Sequence, residues 1–254
     1  MTSFEEALAS VAGVEGWLSD GQARRLWNCA RAVPPGGRVV EIGSFRGRSA
    51  IVLARAVDSA GAGGRPEVVA IDPHAGNDRG PQEIHGSIDE GEADNRAFAS
   101  NLARAGVTGA VRHVRLPSQE ALGDVEGPID LLYVDGAHRL GPATDDIRRW
   151  GARVRPGGRM LVHDSFSSIG VTLALLRLLL LGGEFVYAGR ERSLAEYRRV
   201  GTPLSAAERL RNAARQLAEL PWFARNVLIK VAIVARAPRP LLRALGHDSR
   251  DWPY

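Results

Sequence analysis

Short apolar runs recur along this chain at the spacing of a strand followed by a helix, and polar residues close each one. Val39, Val40 and Ile42 form a run suited to a strand covered on both faces, entered through Gly36-Gly37. After a glycine turn, Ser49 and the run Ala50 to Ala54 predict a helix. Val68 to Asp72 reads as a second strand, Val111 to Val114 as a third and Ile129 to Val134 as a fourth. A fifth, Arg159 to Val162, starts from the turn Pro156-Gly157-Gly158. Gln119 to Leu122 predicts a short helix after the third strand, and Asp145, Asp146, Ile147 and Trp150 mark one after the fourth. Val171 to Leu181 reads as a buried helix, followed by a closing hairpin of Phe185 to Tyr187 and Ser193 to Arg199. Trp17, Leu18, Leu26 and Trp27 lie on helices before the first strand and serve either as core or as a cap over a site.

Strands alternating with helices predict an α/β fold: a doubly wound, Rossmann-like sheet, mainly parallel with an antiparallel closing hairpin. Three regions are expected: N-terminal helices over residues 1–36, the ligand-binding α/β domain over 37–200, and a basic helical extension over 201–254. A chain of 254 residues with 44% hydrophobic content can bury one sizeable core. Cys29 is the only cysteine, which excludes an intrachain disulfide and a cysteine-based metal cluster and fits a reducing cytoplasm. Met1 to Ser10 holds two glutamates and no basic residue, unlike a signal peptide. The excess of basic residues is local: residues 205–254 carry nine Lys or Arg against four Asp or Glu. The remainder is close to neutral, which disfavours a nucleic-acid substrate.

Parallel strands deliver their carboxyl ends to one rim, where ligands of such sheets bind. Glu41 stands at the end of the first strand, where burying a carboxylate is costly without a partner. Gly43 and Gly47 let backbone approach a ligand lying over the next helix N-terminus. Asp72 ends the second strand, Asp135 and His138 follow the fourth, and His163 and Asp164 follow the fifth. The turn is not the G-x-G-x-x-G of nicotinamide and flavin enzymes, because Glu41 takes its first small position. Without a ligand, the same residues would form a tight connection at the glycines, a turn before Pro73 at Asp72, a helix-start histidine at His138 and a packed strand end at His163.

The run Glu41-Ile42-Gly43-Ser44-Phe45-Arg46-Gly47-Arg48-Ser49 resembles motif I of the class I S-adenosylmethionine-dependent methyltransferases. With Asp135-Gly136-Ala137-His138 and Pro156-Gly157-Gly158 in order after it, the chain resembles small-molecule O-methyltransferases of the macrocin and macrolide-sugar type, over roughly residues 15 to 200. The resemblance implies that Glu41, Gly43, Ser44, Gly47, Ser49 and Asp135 line an S-adenosylmethionine site. It implies further that Asp72 holds the ribose hydroxyls and that Ser118 and Gln119 meet the adenine edge, although Ser118 equally suits a helix cap. Asp135 and Asp164 match metal-ligand positions. His163 takes a third, where the family usually has an acid, and an imidazole is a poorer partner for Mg2+, a hard ion. His138 matches a general base, with Asp135 beside it in the catalytic set. The implied reaction moves the sulfonium methyl to a hydroxyl of a sugar, glycoside or other natural product, with Mg2+ or another divalent metal as an optional aid. The rivals are a non-catalytic cofactor-binding or membrane-peripheral module, motivated by His163, and a nicotinamide-dependent reductase.

Two segments remain open. Residues 77–94, which include His85, are polar and too long for an ordinary connection, and read either as a substrate lid or as a solvated loop. His113 and His247 read as structural. In the segment Leu220 to Leu245, a helix would place Phe223, Val227, Val231 and Val234 on one side and Arg225, Lys230 and Arg236 away from it. Such a helix suits an anionic membrane surface, a homo-oligomer interface or docking on the core, and its β-branched residues also permit a strand. No apolar run reaches the length of about 20 residues that spans a bilayer.

Overall fold

The computed structural model describes residues 2–59, 64–76 and 86–247. Helices α1 (Phe4–Ser10) and α2 (Asp20–Arg31) each open with a capping box, Ser3 with Glu6 and Ser19 with Gln22. Strand β1 (Arg38–Ile42) then leads through the glycine turn into α3 (Arg48–Asp58). After it come β2 (Glu67–Ile71), α4 (Ile88–Arg104), β3 (Val111–Val114), β4 (Ile129–Val134), α5 (Leu140–Gly151), β5 (Val154–Val162) and α6 (Ile169–Leu179). The hairpin β6 (Phe185–Glu191) and β7 (Leu194–Arg199) is followed by α7 (Ala206–Leu217), α8 (Leu220–Val234) and α9 (Arg239–Ala244).

All strands join one seven-stranded sheet in the order β3-β2-β1-β4-β5-β7-β6. β1 to β5 are parallel, and β7 alone runs against its neighbours β5 and β6. Chain order reverses between β1 and β4, so the crevice over their carboxyl ends is the switch point of the doubly wound fold. Alternate residues supply two cores, as the twofold period of a strand requires. Val39, Leu131, Tyr133 and Leu161 face α1 to α4, where Phe4, Leu26, Trp27, Ile51 and Phe98 pack. Val40, Ile42, Leu132, Val134, Met160 and Val162 face α5 and α6, where Ile147, Trp150 and Leu175 pack. Each such large apolar side chain contributes about 1.5–3 kcal/mol when fully buried. The N-terminal helices are therefore part of the core, and only Trp17, at 49% exposure, stays on the rim, its ring centroid 5.5 Å from that of Phe45.

Four expectations need correction. β5 begins at Val154, so Pro156-Gly157-Gly158 lies inside the strand, where its pairing with β4 jumps from Ile129↔Val154 to Leu131↔Arg159. The Asp130 carboxylate holds this irregularity, accepting from the Arg38 backbone N–H at 2.8 Å and from the Arg155 guanidinium. The helix expected from Gln119 shrinks to a single 3-10 turn, Ala121–Gly123. Residues 88–94 of the polar 77–94 segment are the first turns of α4, capped by Ser87, while residues 77–85, His85 included, lie outside the described residues.

The fourth correction concerns α8, which docks on the other side from the one its apolar pattern suggested. Asn226, Ile229 and Ala232 are buried, whereas Val231 and Val234 are 59% and 62% exposed. Two backbone carbonyls in the loop after β5 decide this. Asn226 Nδ2 donates to Phe166 O at 3.2 Å and Lys230 Nζ donates to Ser167 O at 3.1 Å, and buried carbonyls without donors are expensive. The tail also breaks into two helices ahead of Pro238, and no helix among the described residues is long and apolar enough to cross a membrane.

Candidate active site

Glu41 is the penultimate residue of β1 and is fully buried, and neither of its carboxylate oxygens has a hydrogen-bond partner among the described residues. Burial dominates its ionisation. Ser49 in α3 offsets part of this, the Asp135 and Asp72 carboxylates add smaller contributions to the penalty, and the Glu41 pKa is pushed up to about 8. Ser44 Oγ, in the turn itself, is also buried and has no hydrogen-bond partner among the described residues. Unsatisfied buried polar atoms are rare enough to need a reason, and a bound cation with hydrogen-bond donors would supply one.

The two turn glycines each make room for a neighbouring element. Gly43 has φ 86, and a Cβ there would fall 2.1 Å from the Asp135 carbonyl oxygen, so glycine is needed to let the exit of β4 pass the turn. The Asp135 backbone N–H donates to Ile42 O at 2.8 Å across that contact. Gly47, at φ 88, is the N-cap of α3, and its missing side chain leaves room for Phe98.

Asp72 follows β2, and its two oxygens accept from the Phe45 and His74 backbone N–H groups, both at 2.8 Å. Each oxygen keeps a second lone pair, enough for a diol. Ser118 does not cap a helix. Its hydroxyl donates to Asp146 Oδ1, and its carbonyl accepts from Trp150 Nε1 at 3.2 Å. Burial pushes the Asp146 carboxyl up to about 6. Gln119 is exposed beside this pair. His113 packs with Phe98 and His74, at ring-centroid distances of 4.6 and 5.0 Å.

The ends of β4 and β5 bring together the acids and imidazoles. His138 Nε2 lies 2.7 Å from Asp164 Oδ2, and His163 Nδ1 lies 3.2 Å from Asp135 Oδ1 and 3.5 Å from Asp164 Oδ2. Tyr133 OH donates to Asp135 Oδ2 at 2.7 Å. Burial alone would lower the His138 pKa, but the Asp164 carboxylate outweighs it and raises it above the usual imidazole value. His163 is held well above that value for the same reason, with Asp135 the stronger partner. Burial disfavours the Asp164 anion, yet the two imidazoles keep its pKa well below the ordinary carboxylate range. Asp164 Oδ1 is buried and has no hydrogen-bond partner among the described residues. Asp135, His138 and Asp164 each offer an atom within 4.8 Å of the others.

Backbone strain gathers on the same rim. Phe45, His74, Asp164 and Phe166, all non-glycine, have φ between 44 and 55, and they follow β1, β2 and β5. Such conformations persist only where surrounding structure enforces them. After β5 the enforcing contacts come from Asn226 and Lys230 of α8. Three participants escape a reading of the sequence. Tyr133 looks like one more residue of an apolar run, although its twofold spacing from Asp135 puts both on one strand face. Asp146 looks like an outer helix residue, and Lys230 like a solvated one. A faint signal for the last existed in Asn226 and Lys230, the interior polar residues four apart in a helix otherwise nearly all apolar.

Residues 40–165 match a family model described as a methyltransferase domain. The chain is similar in structure to TomG, an O-methyltransferase from Streptomyces achromogenes involved in tomaymycin synthesis and solved in complex with SAM. The two share 21% identity over 78% of this chain and 89% of that one, with a TM-score of 0.52. A putative O-methyltransferase from Klebsiella pneumoniae is 16% identical over 78% of this chain and 90% of its own, with a TM-score of 0.55. Cofactor-bound Rv0187 from MTB is 24% identical over 77% and 88%, with a TM-score of 0.50. At these identities the likeness is one of fold. No curated protein matches the chain.

Proposed function

We propose that residues 40–165, which match a methyltransferase-domain model, form a class I, S-adenosylmethionine-dependent methyltransferase domain, and that this chain methylates a hydroxyl group of a small acceptor such as a sugar, glycoside or other natural product. One observation carries the reading: an orphaned, buried Glu41 at the glycine turn shares its rim with a His138–Asp164 pair at 2.7 Å. Glu41 suits the ammonium of the methionyl part, Asp72 the ribose diol, and Ser118 with Asp146 the adenine edge.

Transfer needs an acceptor oxygen in line with the sulfonium methyl, and removal of the hydroxyl proton as the new C–O bond forms and the S–C bond breaks. With Nε2–H donated to Asp164, His138 Nδ1 would take that proton. Asp164 then stabilises the imidazolium, and its burial at 2% exposure keeps water from competing for the contact. A positioned base of this kind is worth about 10²- to 10⁴-fold, and in-line placement adds more. The residues also fit a divalent cation, given the clustered atoms of Asp135, His138 and Asp164 and the orphaned Asp164 Oδ1. Those three would hold it, His138 then serving as a ligand in place of the base, and when bound it would acidify the acceptor hydroxyl so that a weaker base suffices. Their mixed nitrogen and oxygen donors favour manganese or zinc over magnesium.

The test is transfer of labelled methyl from S-adenosylmethionine across a panel of hydroxyl acceptors, in chelator and with added manganese, zinc or magnesium. His138→Ala should lower turnover by about 10²-fold or more while leaving cofactor affinity unchanged. Tight cofactor binding with no transfer to any acceptor would instead mark a non-catalytic binding module, and equal rates in chelator and metal would remove the cation.

A further inference from the structure

Lys230 stands where an apolar residue would be the less costly choice. Apart from Arg225 and Asn226, every other residue of α8 is apolar, and a lysine ammonium is rarely withdrawn from water unless its charge or its donors are needed. Burial pushes the Lys230 pKa down, and the Asp164 carboxylate offsets part of that. Its Nζ donates to Ser167 O at 3.1 Å, one helical turn along from Asn226 Nδ2 on Phe166 O. Both acceptors belong to the short loop between β5 and α6 that carries Asp164.

The two bonds land between two grips that this loop has on His138. At one end Asp164 Oδ2 lies 2.7 Å from His138 Nε2, which fixes the ring and leaves Nδ1 as the acceptor. At the other end Ser168 Oγ donates to His138 O at 3.3 Å, and α6 starts so close to that carbonyl that a Cβ on Gly170 would fall 2.2 Å from it. Between the grips the Ser167 and Ser168 backbone N–H groups donate to Asp164 O at 3.2 and 2.9 Å, in a turn with φ 54 at Asp164 and φ 55 at Phe166. Non-glycine residues keep such values only under outside constraint, and the carbonyls held by α8 are where that constraint attaches.

We propose that Lys230 is a positioning residue for the His138–Asp164 pair: its bond to Ser167 O holds the loop between Asp164 and Ser168 and so sets where His138 Nδ1 points. Asn226 adds a neutral bond to the same loop, whereas the Lys230 bond is charge-assisted and therefore the stronger of the two. Lys230 lies outside residues 40–165, the part that matches a methyltransferase domain, so the C-terminal extension completes the active site from behind. The inference deepens the function proposed above and rests on its reading of His138 as the base.

Two variants of the full chain test it. Lys230→Met keeps the apolar stem and removes the donors and the charge, and Lys230→Arg keeps both. In methyl transfer, Lys230→Met should lower kcat by ~10-fold or more with S-adenosylhomocysteine affinity and acceptor KM unchanged, while Lys230→Arg should stay within about 3-fold of the wild type. Hydrogen exchange supplies a readout that needs no turnover. The amides of Ser165, Ser167 and Ser168 should exchange at least ~10-fold faster in Lys230→Met, with those of α8 unchanged as the sign that the helix stays docked. Wild-type kcat or wild-type loop exchange in Lys230→Met overturns the proposal. So does a loss of cofactor affinity that matches the loss of kcat, or a Lys230→Arg variant no better than Lys230→Met, since either marks a support of the fold alone. Should the wild type methylate no acceptor, the reading of His138 as the base fails, and the exchange comparison still decides whether Lys230 holds the pair.

Discussion

With the proposed cofactor seated at Glu41, the free protein would carry a proton there that binding has to expel. The Glu41 pKa of about 8 leaves the carboxyl mostly neutral near pH 7, and pairing with an ammonium would ionise it. Binding S-adenosylhomocysteine near pH 7 should then release about one proton, read by calorimetry in two buffers of different ionisation enthalpy. Identical heats in both buffers would place the ligand away from Glu41, and Glu41→Gln should bind more weakly with no release. Asp146 offers the matching test on stability. Its folded pKa, about 6, lies above the ordinary aspartate value of 3.8, so the stability it contributes is fully present below that value and is lost as pH rises through about 6. Asp146→Asn should therefore exceed the wild type by about 2–3 kcal/mol near pH 8 and lose that advantage near pH 4, measured by denaturant titration. Glu41 and Asp72 were legible because each ends an apolar strand. Asp146 was not, since its partner Ser118 lies 28 residues away in the chain and only the fold brings the two together.

Among the elements, strands were the clearest in the sequence, because a strand buried on both faces is apolar at nearly every position, and β4 is buried at all six with Asp130 its one charged residue. Less legible was anything set by a distant partner: the irregular start of β5 depends on Asp130, and the orientation of α8 on two carbonyls after β5. Hydrophobic periodicity assumes that the apolar side of a helix faces inward, and α8 breaks that assumption. Asn226→Leu should keep the helix docked but free the loop that carries Asp164. Turnover should then fall by about 10-fold or more with cofactor affinity unaltered, and a loss of affinity instead would mean that α8 supports the cofactor side of the crevice. The meeting of β1 and β4 is stricter. Gly43→Ala collides with the Asp135 carbonyl, which should destabilise the protein by about 3 kcal/mol or more in chemical denaturation.

At the scale of the whole molecule, the switch between β1 and β4 gathers Glu41, Asp72, Asp135 with His138, and Asp164 from the ends of four strands. A ligand that binds only this assembled crevice stabilises the fold: S-adenosylhomocysteine at about 100 times its Kd should add ~2.7 kcal/mol and raise Tm by roughly 5–10 °C. No shift at saturation would mean that the crevice does not take the nucleoside. The order of strands has a consequence for how the protein is made. β7 is the last strand synthesised yet lies between β5 and β6, so β5 keeps an open hydrogen-bonding side, and β6 has no partner, until Arg199 has emerged. The sheet closes by sliding one strand into a waiting slot, a slow step of high sequence separation. While that slot stands empty, nascent chains can pair with one another through it, and the yield of active protein depends on how fast it is filled.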